Sequence, residues 1–438
     1  MEKKNRFLRN SGWELGQQLY ISILSFIVGL FIARYLGPDN YGIIGMVTSV
    51  FTFVSALSWL GFDSILINEL VIHDEEKDQI VSTVLLVKTG LTLLMLPLVY
   101  VIVDNLYDDP VMNRVYIILG AAALFQVYEV FHWWLQSQMQ FGIYAMIVIV
   151  VNTLITIYQI VLIITRKDIY WFASVQLFLN LLLFGILIVY YLRKRSGDTV
   201  FSKAIFVRMF SKGYHFIISS LAVTLYMQID KLMIGKMLSS GDAGSYSAAV
   251  NISMVWQFVP IAIINAARPM LIEYKKKDEK LFYDRFKKLI VLTSAISLVI
   301  CIGITVFARY IILFLYGEAY LGAVSSLRIS TWATAIAMLG VIRSIWVLAY
   351  DYNRYDKYFT SIAAVLNIAL NYFMIQWMGI VGAALSTVIS YFVEVFVVNY
   401  LFKDTRHYNR IMWEAVKESG EAVAFAREFF IKRKRKDS

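Results

Sequence analysis

The chain has 438 residues, a formal net charge of +10, 59% apolar and only 16% charged residues, and a mean hydropathy of +0.64. Globular chains average about 25% charged residues, so too little polar surface is available here to cover a soluble fold of this size. The same figures exclude a disordered, collagenous or disulfide-stapled secreted chain, and the single cysteine, Cys301, makes no intramolecular bridge and with four histidines builds no zinc site. This is the composition of a polytopic helical membrane protein.

In chain order, twelve apolar runs approach or exceed the ~20 residues that a membrane helix needs. They are Leu15–Tyr35, Tyr41–Ile67, Ile80–Val103, Asn113–Gln136, Ile143–Thr165, Tyr170–Leu192, Tyr214–Lys236, Ser245–Ile272, Lys288–Phe307, Ala323–Leu348, Tyr358–Met378 and Val381–Phe402. Met378, Gly379 and Ile380 alone join the last two, which predicts a tight turn. Continuous apolar runs exclude a transmembrane barrel, whose strands alternate. The run after the basic N-terminus is too long for a cleaved signal peptide.

Lysine and arginine set the orientation. With the N-terminus inside, inner segments carry 30 of the 41 basic residues and outer segments 6. Both termini are therefore expected in the cytoplasm. That distribution accounts for the net charge without nucleic acid.

Leu36–Gly42 (LGPDNYG) aligns with Leu238–Gly244 (LSSGDAG) at an offset of 202, and Ser11–Trp13 resembles Lys212–Tyr214 at 201. Six spans precede the basic stretch 193–212 and six follow it. The expected fold is all-α, with twelve transmembrane helices in two six-helix lobes related as parallel repeats. Residues 1–192 form the first lobe, 193–212 a basic linker, 213–402 the second lobe and 403–438 a basic tail. Within the tail, Asn409–Phe430 reads as a helix lying on the inner leaflet, with Lys432–Lys436 holding it to anionic lipid.

Ionisable residues inside spans cost roughly 2.5–3.5 kcal/mol each on insertion scales, so they face a partner or a water-filled cavity. Lys88, Glu129, His132, Asp230, Lys231, Arg328 and Glu394 are placed this way. Asp230 and Lys231 are neighbours in span seven and read either as a cavity cluster or as a static ion pair. Glu129 and His132 lie three apart on one face, suited to a proton relay, a coupling cation or a local hydrogen bond. Asp63, Glu69 and Glu394 are weaker candidates for coupling or gating. Arg268 and Arg343, near inner span ends, are expected to snorkel to lipid. Asp104, Asp108 and Asp109 read as a solvated loop rather than a catalytic or metal cluster.

Three segments carry a family resemblance. Ala33–Gly45 (ARYLGPDNYGIIG) resembles the first outer loop of polysaccharide-transporter flippases, within the multidrug/oligosaccharidyl-lipid/polysaccharide exporter superfamily. Gln228–Leu238 with Gly244–Ala248 is similar to that family's seventh span and the loop after it, and Phe314–Gly322 with Leu327–Ile329 to its approach to the tenth. The resemblance implies a two-lobed alternating-access bundle and a substrate of undecaprenyl-diphosphate-linked oligosaccharide in a bacterial cytoplasmic membrane. Such a substrate needs a polar, partly cationic cavity. Lys88, Lys231 and Arg328 are then the expected contacts to the diphosphate and sugar, with Asp230 organising its lysine neighbour. Other membrane proteins of polysaccharide assembly are expected partners.

Three rivals stay open. A multidrug exporter of the same superfamily would bind cations through carboxylates. A lipid-precursor flippase for peptidoglycan would add two spans. A membrane glycosyltransferase or polymerase would need a large catalytic outer loop, which this sequence lacks. No phosphate-binding G-x-x-x-x-G-K-[ST] loop is present, so no ATP chemistry, cofactor or catalytic residue is expected. The energy source is left among a substrate gradient, membrane potential, and proton or sodium coupling.

Overall fold

The computed structural model describes residues 2–197 and 199–418, so the basic run Lys432–Lys436 and the expected surface helix beyond residue 418 lie outside the described residues. The described elements are helical: α1 Glu2–Ser58, α2 Leu66–Ile72, α3 Lys77–Tyr107, α4 Pro110–Phe125, α5 Glu129–Ser137, α6 Phe141–Ile164 and α7 Ile169–Lys194. They continue with α8 Lys203–Met237, α9 Ser240–Val255, α10 Phe258–Lys277, α11 Glu279–Leu315, α12 Ala323–Ala349, α13 Asp356–Met378 and α14 Ile380–Phe392. Among the described residues ten helices are long and apolar enough to cross a membrane, or eleven crossings if α9 and α10, bent by 41°, form one.

Local chemistry explains where these elements depart from twelve uniform spans. The first two expected spans run together in α1, broken only by the non-helical Gly37 (φ 73°, ψ 171°) ahead of Pro38. Glycine tolerates that φ, and proline's fixed φ restarts a helix at its first position. The second run stops at Ser58 rather than Ile67, because Leu60 and Gly61 take positive φ and turn the chain into Phe62–Ser64. Pro260 has no N–H to give the carbonyl of Trp256, which places the α9–α10 break there. The last expected span loses α-helical geometry after Phe392, passing through a π turn, Val393–Val397, and a 3₁₀ turn, Val398–Tyr400.

The polar chain ends are capped locally. Asp109 accepts from the Val111 and Met112 amides, with Pro110 at the first position of α4, and Asp104 accepts from Asn113 at 2.5 Å. The acidic loop of the sequence is thus helix-capping chemistry.

The chain divides into two compact units: residues 1–245 with 315–319, and 246–314 with 320–438. In the first, Phe62, Leu66, Phe131, Trp134 and Tyr191 sit in the core. In the second the core gathers Phe282, Phe286, Trp346, Phe359 and Tyr408. Tyr408 belongs to the helical residues 406–418, so this stretch buries Tyr408, Ile411, Met412 and Ala415 in protein. Outward-facing α3 and α6 expose Leu94, Leu98, Ile102, Val150, Leu154 and Ile157, the apolar face that a bilayer covers.

The stretch 193–212 is organised around α3. Asp78 accepts from Tyr191 Oη (3.0 Å) and from the amides of Ser196 (3.0 Å) and Gly197 (2.6 Å). Residues 203–212 are the first turns of α8, and Arg208 and Lys212 there bind buried Glu69 at 3.2 and 2.5 Å. Basic charge that reads as a loop in the sequence is folded onto the first unit.

Candidate functional site

The first unit holds an open cavity of about 550 Å³. Its walls are Thr48, Phe51, Thr52, Ser55, Ala56 and Trp59 of α1; Asp63 and Ser64 of the turn that follows; Leu119, Ala122 and Ala123 of α4 with Gln126; Gln176 and Asn180 of α7; and Phe216, Ser220, Val223 and Thr224 of α8. The polar members recur at helical spacing: 48, 52, 55 on α1, 176 and 180 on α7, 220 and 224 on α8. Each set therefore shares one face of its helix. Asn180 donates to the Ala122 carbonyl at 2.9 Å and Gln176 donates to Asn180 at 3.0 Å, fixing the amides. The lining thus combines hydroxyls, carboxamides and the aromatic faces of Phe51, Trp59 and Phe216.

Asp63 is the one ionisable side chain in that lining, and among the described residues its Oδ1 is buried without a hydrogen-bond donor. Behind Trp59 lies an ion pair between a buried lysine and a half-buried carboxylate. Lys88 is 3% exposed, its Nζ 2.6 Å from Glu129 Oε2 and 3.9 Å from the centre of the Trp59 ring. Trp59 Nε1 donates to the same oxygen at 3.1 Å, and Gln126 donates to Glu129 Oε1 at 3.0 Å. Trp59 and Gln126 both face the cavity, so Glu129 ties two wall residues to the buried lysine. Desolvation alone would make Lys88 costly; the carboxylate and the ring's negative face offset it.

The structure brings Asp63, Lys88 and Glu129 into one electrostatic cluster. His132 makes no hydrogen bond to Glu129, though it lies within reach of that carboxylate's charge: its ring stacks on Tyr144 (4.4 Å) and Trp133 (4.9 Å), and its Nε2 has no hydrogen-bond partner among the described residues. On α8, Asp230 is buried, and Lys231 donates to Gln228 Oε1 at 3.3 Å, which also accepts from Ser49 at 2.9 Å. Arg328 is exposed on α12 and donates to the Thr305 carbonyl at 3.2 Å. None of Lys88, Lys231 and Arg328 lines this cavity.

In the second unit, Glu394 pairs with Arg343 at 3.1 Å. Arg343 is 4% exposed, with its guanidinium 4.1 Å from the centre of the Phe359 ring. The expected snorkelling is therefore replaced by a pair inside the protein, where a carboxylate and an aromatic face take up the guanidinium. Arg268 likewise donates inward, to Ser344 Oγ at 3.2 Å.

Comparison with known proteins decides the family. Residues 7–275, more than half of the chain, match the family described as polysaccharide biosynthesis protein. The chain belongs to that family. The resemblance read from Ala33–Gly45, Gln228–Leu238 and Phe314–Gly322 is borne out, and residues 216–372 also match the MatE family. Over 415 residues this family member is 21% identical to a Shigella flexneri protein named as an O-antigen transporter, covering 90% of the chain and 97% of the relative. Over 190 residues it is 25% identical to Agl15 of Haloferax volcanii, named as a flippase of low-salt glycan biosynthesis; that match spans 42% of the chain and 40% of the relative. Two solved structures share its fold, each with a TM-score of 0.71: an inward-facing multidrug-resistance MATE transporter (18% identity, 92% of this chain, 96% of that one) and the lipid II flippase MurJ in an inward closed conformation (14%, 94% and 92%). The protein is a multi-pass helical membrane protein of a transporter fold.

Proposed function

We propose that this protein is a flippase that moves undecaprenyl-diphosphate-linked oligosaccharide repeat units from the inner to the outer leaflet of a bacterial cytoplasmic membrane, by alternating access. The observation that carries the reading is the chemistry of the cavity: hydroxyl, amide and aromatic groups gathered inside a unit whose outer faces are apolar. Sugars offer hydroxyl edges and apolar ring faces, and such a lining serves both. The names of the Haloferax and Shigella relatives support it. Twelve crossings with both termini cytoplasmic belong to the same proposal. Residues 12–58 of α1 number 47. At 1.5 Å per residue they would extend roughly 70 Å, more than twice the ~30 Å hydrocarbon core.

Lys231 and Arg328 are assigned to the diphosphate and sugar, with Asp230 organising its lysine neighbour. Lys88 is assigned a positioning role, holding Glu129 and through it Trp59 and Gln126. Coupling to protons or sodium ions falls to Asp63, with Glu394 as a second gating carboxylate. Anionic inner-leaflet lipids and other membrane proteins of polysaccharide assembly are its proposed partners.

One observation favours a second reading. A cavity whose sole charged lining group among the described residues is Asp63 also suits a cationic drug, as in a multidrug exporter. Deleting the gene separates the two. The flippase reading expects lipid-linked repeat units held on the cytoplasmic side and loss of surface polysaccharide. Intact surface polymer with new sensitivity to cationic drugs would establish the exporter instead.

A further inference from the structure

The second unit carries an open pocket of its own, of about 410 Å³. Its walls are almost wholly apolar: Leu339 of α12, Phe392 at the end of α14, Phe396, Tyr400, and Trp413 and Val416 of the helical residues 406–418. Phe392 and Phe396, with ring centres 4.9 Å apart, form one side. The pocket lies where the last span leaves α-helical geometry. Arg343 donates to the Glu394 carbonyl at 2.5 Å, and the Val398 N–H, which an α-helix would direct there, bonds to the Val393 carbonyl instead. Carbonyls beyond that π turn are met by side chains. Asn409 donates to the Phe396 carbonyl, Thr405 to that of Asn399 and Arg406 to that of Tyr400, each at 2.8 Å. Backbone polarity at this end is thus satisfied from within the protein, and the pocket stays apolar.

Its rim is basic. Helical positions 406, 410, 413 and 417 share one face, so exposed Trp413 stands between exposed Arg406 and Lys417, and exposed Lys403 follows Tyr400 by three residues. The nearby carboxylates are already engaged: Asp404 by Arg354 (2.8 Å), Glu414 by Arg410 (2.9 Å) and Glu418 by Lys287 (2.5 Å). Lys403, Arg406 and Lys417 have no carboxylate partner among the described residues. An apolar pocket beneath three uncompensated cations complements a molecule with a hydrocarbon chain and an anionic head. We propose that this pocket holds one acyl chain of an anionic glycerophospholipid, with the phosphate held by Arg406, Lys403 and Lys417. The proposal rests on the anionic-lipid partnership given above and supplies its site. A saccharide head suits the rim less well, because the Asn409 carboxamide is engaged at both ends, by Asn399 and by the Phe396 carbonyl.

The test reconstitutes the full chain in phosphatidylcholine vesicles containing a minor fraction of brominated-chain phosphatidylglycerol or brominated-chain phosphatidylcholine, either of which quenches tryptophan on contact. The chain has ten tryptophans, so comparison with Trp413→Phe isolates the quenching of Trp413. Brominated phosphatidylglycerol should quench Trp413 at about fivefold lower mole fraction than brominated phosphatidylcholine. Lys403→Gln with Arg406→Gln and Lys417→Gln should bring the two lipids level. Ser294→Phe, which fills the pocket from α11, should lower quenching by both; should it fail to fold, the charge variant decides alone. Equal quenching of Trp413 by the two lipids in the unmodified chain would overturn the site. A preference for phosphatidylglycerol seen only at other tryptophans would keep the anionic-lipid partnership and overturn this pocket as its place. Quenching relieved by undecaprenyl phosphate but not by excess unlabelled phosphatidylglycerol would give the pocket to a polyprenyl chain and overturn the phospholipid assignment.

Discussion

At the residue scale, Glu129 is the group around which the site is built. It accepts from Lys88, Trp59 and Gln126 at once, and two of those three form the cavity wall. Removing one partner of a buried pair leaves the other uncompensated, whereas replacing both with apolar groups is often close to neutral. Glu129→Leu, which strands the buried Lys88, should therefore destabilise the protein by about 3 kcal/mol and more than Lys88→Met does, while the two together should recover most of that loss. Thermal unfolding in detergent micelles compares the three variants; a double variant as unstable as the sum of the singles would show that the two residues act separately. His132 makes the opposite prediction. Its contacts are aromatic faces, so His132→Phe should leave polysaccharide export near wild type. An export defect in that variant, with normal membrane insertion, would return the imidazole to the mechanism.

At the element scale, the joint between α13 and α14 shows how tightly these helices are made to approach. Gly379 takes φ 60° and ψ −140° and donates its N–H to Ile375, ending α13 in a conformation that side chains resist. Three residues later, a Cβ on Gly382 would lie 1.9 Å from the Met374 carbonyl oxygen. Gly379→Ala should cost about 1–3 kcal/mol, the range for a strained backbone position. Gly382→Ala should lower the melting temperature further, because it meets backbone rather than a yielding side chain. The tight turn was legible in the sequence from the three residues between two apolar runs. The helical start of α8 was not. Lys203–Lys212 reads as a basic loop until Glu69, more than 130 residues away, supplies the countercharge for Arg208 and Lys212.

At the scale of the whole molecule, the proposal of twelve crossings predicts sidedness. In a Cys301→Ser background, Asp108→Cys should be labelled by an impermeant maleimide from outside the cell, and Arg410→Cys only after the membrane is opened. Outside labelling at 410 would overturn the orientation. Much of the cavity was also within reach of the sequence. Thr48, Thr52 and Ser55, then Gln176 with Asn180 and Ser220 with Thr224, are polar residues at helical spacing inside apolar runs, a signal that attention to charges passes over. Uncharged polar side chains can line a saccharide site as well as ionised ones, without the desolvation penalty that makes charges conspicuous.

The sequence by itself determined the helical membrane class, most of the apolar segments, the family, and the repeat at 202, because these depend on composition and on local order along the chain. Only the tertiary structure decided which charges find each other. Lys88 meets Glu129 across 41 positions and Arg343 meets Glu394 across 51, so each of these two cations has its carboxylate within the protein. An ion pair's value depends on distance and burial, and neither quantity exists until helices distant in the chain are packed together.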